Sequence, residues 1–276
     1  MNVQELVELL TKRCKIYDLE HVRYIGMPAY HPVQPGLLYF LYRHHESYWK
    51  PEEEGPRTSS SGLIIMTDQS GTHIDARCHQ GDNLTLPGKE GRIKITPDIE
   101  TPWGFTKLGA EEIPPIIGRG VLVDVAAFKG ELPEEYEIKL DEFQETLKNE
   151  GVEIKEGDIV LIRTGYGKYW ESDPQKYMKA AGVSKEVTLW LGEKNPLAVG
   201  SDNLAFDVPK YRDPETKSKL PAHLYLLSRK GIYIIENLNL EELSKDKVYE
   251  FLFIGLSLKF KGATGSPLRP IAVVPL

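Results

Sequence analysis

Between residues 121 and 236, short apolar runs alternate with segments of helical period, and that alternation restricts the chain to an α/β architecture. Residues 121–127, 158–163, 197–200 and 232–235 read as short strands, the first two buried. Helices are expected between them at 140–150, closed by Gly151, at 174–181, at 187–194 and at 222–230. Both ends of the chain read mainly as strand, at 16–19, 37–42, 62–68, 251–260 and 271–274. A helix over about residues 1–13 opens the chain, with Val3, Leu6, Leu9 and Leu10 on one face and Cys14 near its end. Residues 44–61, polar around Pro51 and Pro56, read as an exposed loop. With no repeat, low-complexity linker or break in composition, the expectation is a single α/β domain over residues 1–276 with a mixed central sheet.

Charge and apolar patterning exclude several functions. The net charge is -7 and the Lys and Arg residues are scattered, so no nucleic-acid surface is expected. No apolar run reaches transmembrane length, and the N-terminus carries Glu5 and Glu8 among its apolar residues and lacks the uninterrupted apolar segment of a signal peptide, so a cytoplasmic protein without membrane contact is expected. Two cysteines, Cys14 and Cys78, cannot form a disulfide framework. Gly165 and Gly167 follow a strand, but Trp170 stands where a dinucleotide fingerprint needs its third glycine.

The chemistry concentrates in residues 69–79, Gln-Ser-Gly-Thr-His-Ile-Asp-Ala-Arg-Cys-His, where two of the chain's seven histidines flank an aspartate. If the strand at 62–68, which reads as buried, runs on through this motif, its two-residue period turns Gln69, His73 and Asp75 to one face. An imidazole and a carboxylate converging from one strand can begin a metal site, or can hydrogen-bond each other and cap a turn. Cys78 suits a ligand, a nucleophile or a small core residue, the last being the usual fate of a free cysteine. Further ligands must come from elsewhere. Glu236 closes the apolar run 232–235, where a carboxylate needs a partner, and His223 begins an expected helix. His21, His31, His44 and His45 lie in loop-like segments and read as solvated surface.

Gly71-Thr-His-Ile-Asp75 with His79, His223, Glu236-Asn-Leu238 and Gly265-Ser-Pro-Leu-Arg-Pro270 together resemble the cyclase family, which includes bacterial kynurenine formamidase and isatin hydrolase. The resemblance runs from Tyr17-Asp-Leu19 to the C-terminus. It implies a swivelling β/β/α fold, a homodimer or higher homo-oligomer such as a homotetramer, and one or two divalent ions, Zn or Mn. By the family's pattern His73 and Asp75 ligate a first ion, Asp75 bridges to a second held by His223 and Glu236, and His79 transfers protons. The family signature, His-x-Gly-Thr-His-x-Asp-x-Pro-x-His, has Gln69 here for its first histidine and Arg77 for its proline. Gln69 offers an amide oxygen as a substitute ligand, and Arg77 brings a cation that could pair with a substrate carboxylate or form a structural salt bridge.

The chemistry expected is metal-dependent hydrolysis of an amide C–N bond in a small molecule, an N-formyl arylamine such as formylkynurenine or a cyclic amide such as isatin. His79 is the expected general base, since an imidazole ordinarily titrates near the operating pH. Two alternatives use the same residues: a metal-assisted cyclase or lyase, and a non-catalytic binding protein whose metal site has decayed.

Overall fold

Nine strands hydrogen-bond into one sheet in the computed structural model, which describes residues 2–30 and 36–276. The surface placement expected for His31 falls outside those residues. The strand order is Cys14–Asp18, Ile271–Pro275, Glu250–Gly255, Ile116–Asp124, Ile159–Arg163, Ala198–Ser201, Tyr233–Glu236, His73–Asp75 and Gly265–Pro267. From Ile116–Asp124 to Tyr233–Glu236 the strands run parallel, and the flanking pairs are antiparallel. The sheet is thus mixed, as expected.

The parallel strands have no polar face because both faces are buried. Val121, Val123, Val160, Ile162, Val199 and Ile234 enter one core, while Leu122, Ile159, Leu161, Ala198 and Ile235 enter the other. Phe143, Leu147, Val187, Leu191, Leu226 and Leu227 cover the first, from the helices Leu140–Glu150, Lys185–Lys194 and His223–Lys230. Leu140–Glu150 has the expected bounds, since Glu142 accepts a hydrogen bond from the Lys139 N–H at 3.1 Å and Gly151 closes the helix at φ 70°. His223–Lys230 is wound as a π-helix, a rare form that occurs frequently at functional sites. No helix among the described residues is long and apolar enough to cross a membrane.

Several boundaries differ from expectation for local reasons. The strand expected at 251–260 stops at Gly255, where its partner begins at Ile116. Pro114 and Pro115 precede Ile116 and have no N–H to extend the ladder. The strand expected at 121–127 ends at Asp124, whose side chain accepts from the Ala127 N–H at 2.9 Å and starts the short helix Val125–Lys129. The opening helix spans Val3–Lys12, and Cys14 already begins a strand, opposite Pro275. The helix expected at 174–181 is the single turn Pro174–Tyr177.

The largest departure concerns the buried strand expected at 62–68. Ser61–Ile65 pairs with Leu38–Arg43 in a separate two-stranded ribbon, and the pair forms an arm outside the main sheet. Leu38, Phe40, Leu63 and Ile65 lie on one face of the arm, and Tyr39 and Ile64 on the other. These side chains, with Leu41 and Tyr42, are between 40% and 59% exposed. At its base, Leu37 and Met66 pack with Met27, Trp170, Tyr177 and Leu204.

Two stability predictions follow from the packing. A Cβ on Gly120 would lie 2.1 Å from the buried Phe251 ring. Gly120→Ala should therefore destabilise the protein by about 1–3 kcal/mol, the usual cost of overpacking, in urea unfolding. Glu150 accepts from the Asp124 N–H at 2.8 Å, while its Oε2 is buried without a partner. Burial, aided by the Asp124 carboxylate, raises its pKa from 4.5 to about 8. The folded protein then holds a proton that the unfolded chain releases, so stability should fall as pH rises from 4.5 through about 8. Glu150→Gln should flatten that part of the stability–pH curve.

Candidate metal centre

The register of one short strand assembles the site. His73–Asp75 pairs with Tyr233–Glu236 along one edge and with Gly265–Pro267 along the other. Glu236 stands directly opposite His73, and partners in an antiparallel pair project to the same side. His73, Asp75 and Glu236 therefore converge on one face. His223 reaches the same point from the start of the π-helix.

These groups form a closed ring of alternating imidazoles and carboxylates. His73 Nε2 lies 3.4 Å from Glu236 Oε2 and 3.6 Å from Asp75 Oδ1. His223 Nε2 lies 3.1 Å from Glu236 Oε1 and 3.5 Å from Asp75 Oδ2. All four residues are buried, and both Asp75 oxygens and Glu236 Oε1 lack a hydrogen-bond donor. A carboxylate desolvated in this way costs several kcal/mol unless a cation compensates it.

Each histidine is held so that its inner nitrogen is free to bind. His73 Nδ1 lies 2.8 Å from the Gly71 carbonyl, which can only accept, so Nδ1 carries the proton and Nε2 faces inward. His223 Nδ1 donates in the same way to Asp207 Oδ2 at 3.1 Å. Asp207 is fixed in turn by the Ala222 N–H, at 2.9 and 3.1 Å from its two oxygens. Imidazole lone pairs aimed at carboxylates repel unless a cation lies between them. The spacings fit an ion there, since neighbouring tetrahedral ligands at Zn–N and Zn–O distances lie about 3.4 Å apart. Without an ion, protons compensate the carboxylates. Burial lowers the affinity of His73 and His223 for a proton, but the facing carboxylates outweigh it and raise both pKa values. Burial pushes the Asp75 carboxyl up, but His79, His223 and His73 together hold it below its ordinary value.

His79 returns to the site through a turn in which its N–H bonds the Ala76 carbonyl. Its Nε2 lies 4.0 Å from Asp75 Oδ1, and its side chain is the most open of these histidines, at 26% exposure. Single ligand atoms of Asp75, His79 and His223 lie within 4.8 Å of one another, so His79 also reaches an ion held by the other two.

Gln69 enters the same cavity, but the strand does not run through the motif as expected. A turn closed by the Ser70 N–H on the Thr67 carbonyl, then Gly71 at φ 64°, separates the arm from His73. Gln69 Nε2 donates to Thr264 Oγ1 at 2.9 Å, and Thr264 Oγ1 donates to Asp68 Oδ2 at 2.9 Å. Because the Thr264 proton is committed to Asp68, the Gln69 end facing Thr264 must be the amide nitrogen, which is not a ligand. That nitrogen also lies 3.4 Å from His79 Nδ1. Gly265 permits the approach, since a Cβ there would lie 2.8 Å from Gln69 Nε2.

Arg77 is turned away from the cavity. The strand ends at Asp75, and the turn that returns His79 sends the Arg77 side chain outward. Its Nε donates to the Gly231 carbonyl at 2.8 Å and its guanidinium lies 4.6 Å over the Tyr233 ring. The expected contact with substrate is therefore not what the geometry offers. Cys78 is a core residue, its thiol pushed up to about 12 by burial. His21 corrects another expectation. It is buried and stacked 4.9 Å from Trp170, and burial lowers its pKa to about 4. His44 and His45 are exposed as expected.

The ring opens into a cavity of about 180 Å³ whose other walls are Tyr30, Gln80, Leu204, Ala205, Pro209 and Leu220. Asp207 was the orienting residue missed from sequence. Its signal was a carboxylate inside the apolar run Leu204–Pro209, the same signal that marked Glu236.

Comparison with known proteins identifies the family and supports the fold. The model of the putative cyclase family matches residues 17–208. A kynurenine formamidase of Geobacillus thermodenitrificans is 29% identical over 238 residues, covering 86% of this chain and 89% of the relative. A crystal structure described as a novel cyclase superposes with a TM-score of 0.82 at 28% identity, covering 99% of this chain and 93% of the other. Isatin hydrolase A of Ralstonia solanacearum shares the fold, with a TM-score of 0.74 at 20% identity over 99% of this chain and 98% of the other.

Two measurements test the site. Removing the Asp207 carboxylate frees the His223 ring, so Asp207→Asn should weaken metal affinity by about 10–100-fold in calorimetric titration. Because the facing carboxylates raise the pKa values of His73 and His223, loading the ion-free protein with Zn or Mn near neutral pH should release protons. Titrations in buffers of different ionisation enthalpy would detect them, and heats independent of buffer would show the histidines already neutral.

Proposed function

The chain belongs to the putative cyclase family, and on that premise we propose that it is a metal-dependent hydrolase cleaving an amide C–N bond in a small molecule. The observation that carries the reading is the buried ring, in which donor-free Asp75 and Glu236 oxygens face the inner nitrogens of His73 and His223. Oxygen and imidazole donors together suit Zn or Mn. When bound, such an ion supplies Lewis-acid chemistry, making water nucleophilic near neutral pH and polarising a carbonyl.

The protein residues do the rest. His73, Asp75, His223 and Glu236 hold the ion, and the Gly71 carbonyl and Asp207 keep the two imidazoles oriented. His79, at the open side of the ring, accepts a proton from the attacking water and returns it to the leaving nitrogen. Gln69 borders His79 and serves as a wall of the site. A cavity of about 150 Å³ accepts benzene, so about 180 Å³ suits a small aryl or fused-ring substrate. Leu204, Ala205, Pro209 and Leu220 offer it apolar contact. With Arg77 turned outward, no Lys or Arg lines this cavity among the described residues, which favours an uncharged reacting end. An N-formyl arylamine and a lactam both meet these requirements, and the relative of 29% identity is named kynurenine formamidase.

Hydrolysis of N-formylanilines and of isatin, followed with elemental analysis of the same preparation, tests the reading. Asp75→Ala should lose both metal and activity. His79→Ala should keep its metal and lose about two to four orders of magnitude in turnover. Full activity in a metal-free preparation would contradict the proposal.

A further inference from the structure

Arg77 carries a charge that nothing in the described chain uses. Either a substrate carboxylate or a structural salt bridge was expected of it, yet it lies outside the metal cavity and no Asp or Glu among the described residues pairs with it. The side chain is nevertheless held in place. Its Nε donates to the Gly231 carbonyl at 2.8 Å, and its guanidinium lies 4.6 Å over the Tyr233 ring. Gly231, at φ 70°, closes the π-helix and admits the guanidinium, since a Cβ there would lie 3.3 Å from Arg77 Nε. These contacts use Nε and the face of the group. Nη1 and Nη2 have no acceptor among the described residues. A guanidinium ordered in this way, with its fork open, is prepared for an oxyanion.

Lys230 supplies a second cation. It is the last residue of the π-helix, and its stem passes close over the helix Lys185–Lys194, where a Cβ on Gly192 would lie 3.1 Å from Lys230 Cε. Its ammonium has no partner among the described residues. Arg77 and Lys230 line one pocket of about 220 Å³ together with Glu156, Asn195 and Leu197, and this pocket shares no residue with the metal cavity. Glu156 is the single acidic residue in its wall, and Asn195 Nδ2 donates to Glu156 Oε1 at 2.7 Å. Two cations against one carboxylate leave the pocket positive in a chain whose net charge is -7. We propose that this pocket binds a small oxyanion, a phosphate or a carboxylate, with the Arg77 fork and the Lys230 ammonium as its donors.

The pocket lies at the back of the segments that carry the metal ring. Arg77 belongs to the turn between Asp75 and His79, and Lys230 ends the helix that His223 begins. A bound oxyanion would join these two segments.

Calorimetric titration of the metal-loaded protein with sodium phosphate, and separately with sodium succinate, tests the proposal and tells which oxyanion the pocket prefers. At least one should bind with a Kd on the order of 1 mM or tighter. Arg77→Gln and Lys230→Gln should each weaken that binding by about tenfold or more, the loss of one charge-assisted hydrogen bond. Lys230 is exposed, so Lys230→Gln keeps the test decisive should Arg77→Gln fail to fold. Glu156→Gln keeps an acceptor for Asn195 and removes the repelling charge, so it should tighten binding. Asp75→Ala should bind the anion as wild type does, because the pocket does not use the metal. Binding that persists in Lys230→Gln and disappears in Asp75→Ala would place the anion on the metal ion and overturn the proposal, as would a failure of both salts to bind.

Discussion

Burial of the Asp75 and Glu236 carboxylates in an apolar core is the constraint to which the rest of the site answers. Both oxygens of Asp75 and Oε1 of Glu236 have no donor, so their charge calls for compensation by an ion in the ring or by protons on the facing imidazoles. Parallel strands buried on both faces bring Tyr233–Glu236 to the centre, and the antiparallel addition of His73–Asp75 sets Glu236 against His73. Slipping that pairing by one residue would turn His73 and Asp75 to the face opposite Glu236. The Gly71 carbonyl and Asp207 then decide which nitrogen of each imidazole meets the ion.

Much of this was legible in the sequence because it follows local rules. The period of two placed His73 and Asp75 on one face, and a carboxylate at the end of an apolar run marked Glu236. Buried β-branched runs located the parallel strands, and Gly151 marked the end of its helix. Long-range features were not legible. That Arg77 leaves the cavity depends on the turn after Asp75 and on the distant Gly231 carbonyl. That Gln69 turns its amide nitrogen to Thr264 depends on a threonine 195 residues further along the chain. His21 looked solvated because its loop is polar, yet Trp170 and Tyr177 enclose it.

The arm shows the converse difficulty. Its sequence reads as buried strand, and the reading of the residues is sound: Leu, Phe, Tyr and Ile on both faces call for cover. Among the described residues these side chains stay about half-exposed, so an apolar pattern alone does not place a strand in the core. Membership of the cyclase family fixes the architecture. The departure at Gln69 changes a wall of the cavity, that at Arg77 lies outside it, and both leave the ring intact.

Anomalous diffraction from crystals grown with Zn or Mn tests the central claim most directly. The account predicts a peak inside the ring of His73, Asp75, His223 and Glu236, at about 2.0–2.2 Å from at least one of the inner Nε2 atoms and from an Asp75 oxygen. Crystals with no peak there, and with both histidines hydrogen-bonded directly to the carboxylates, would contradict it.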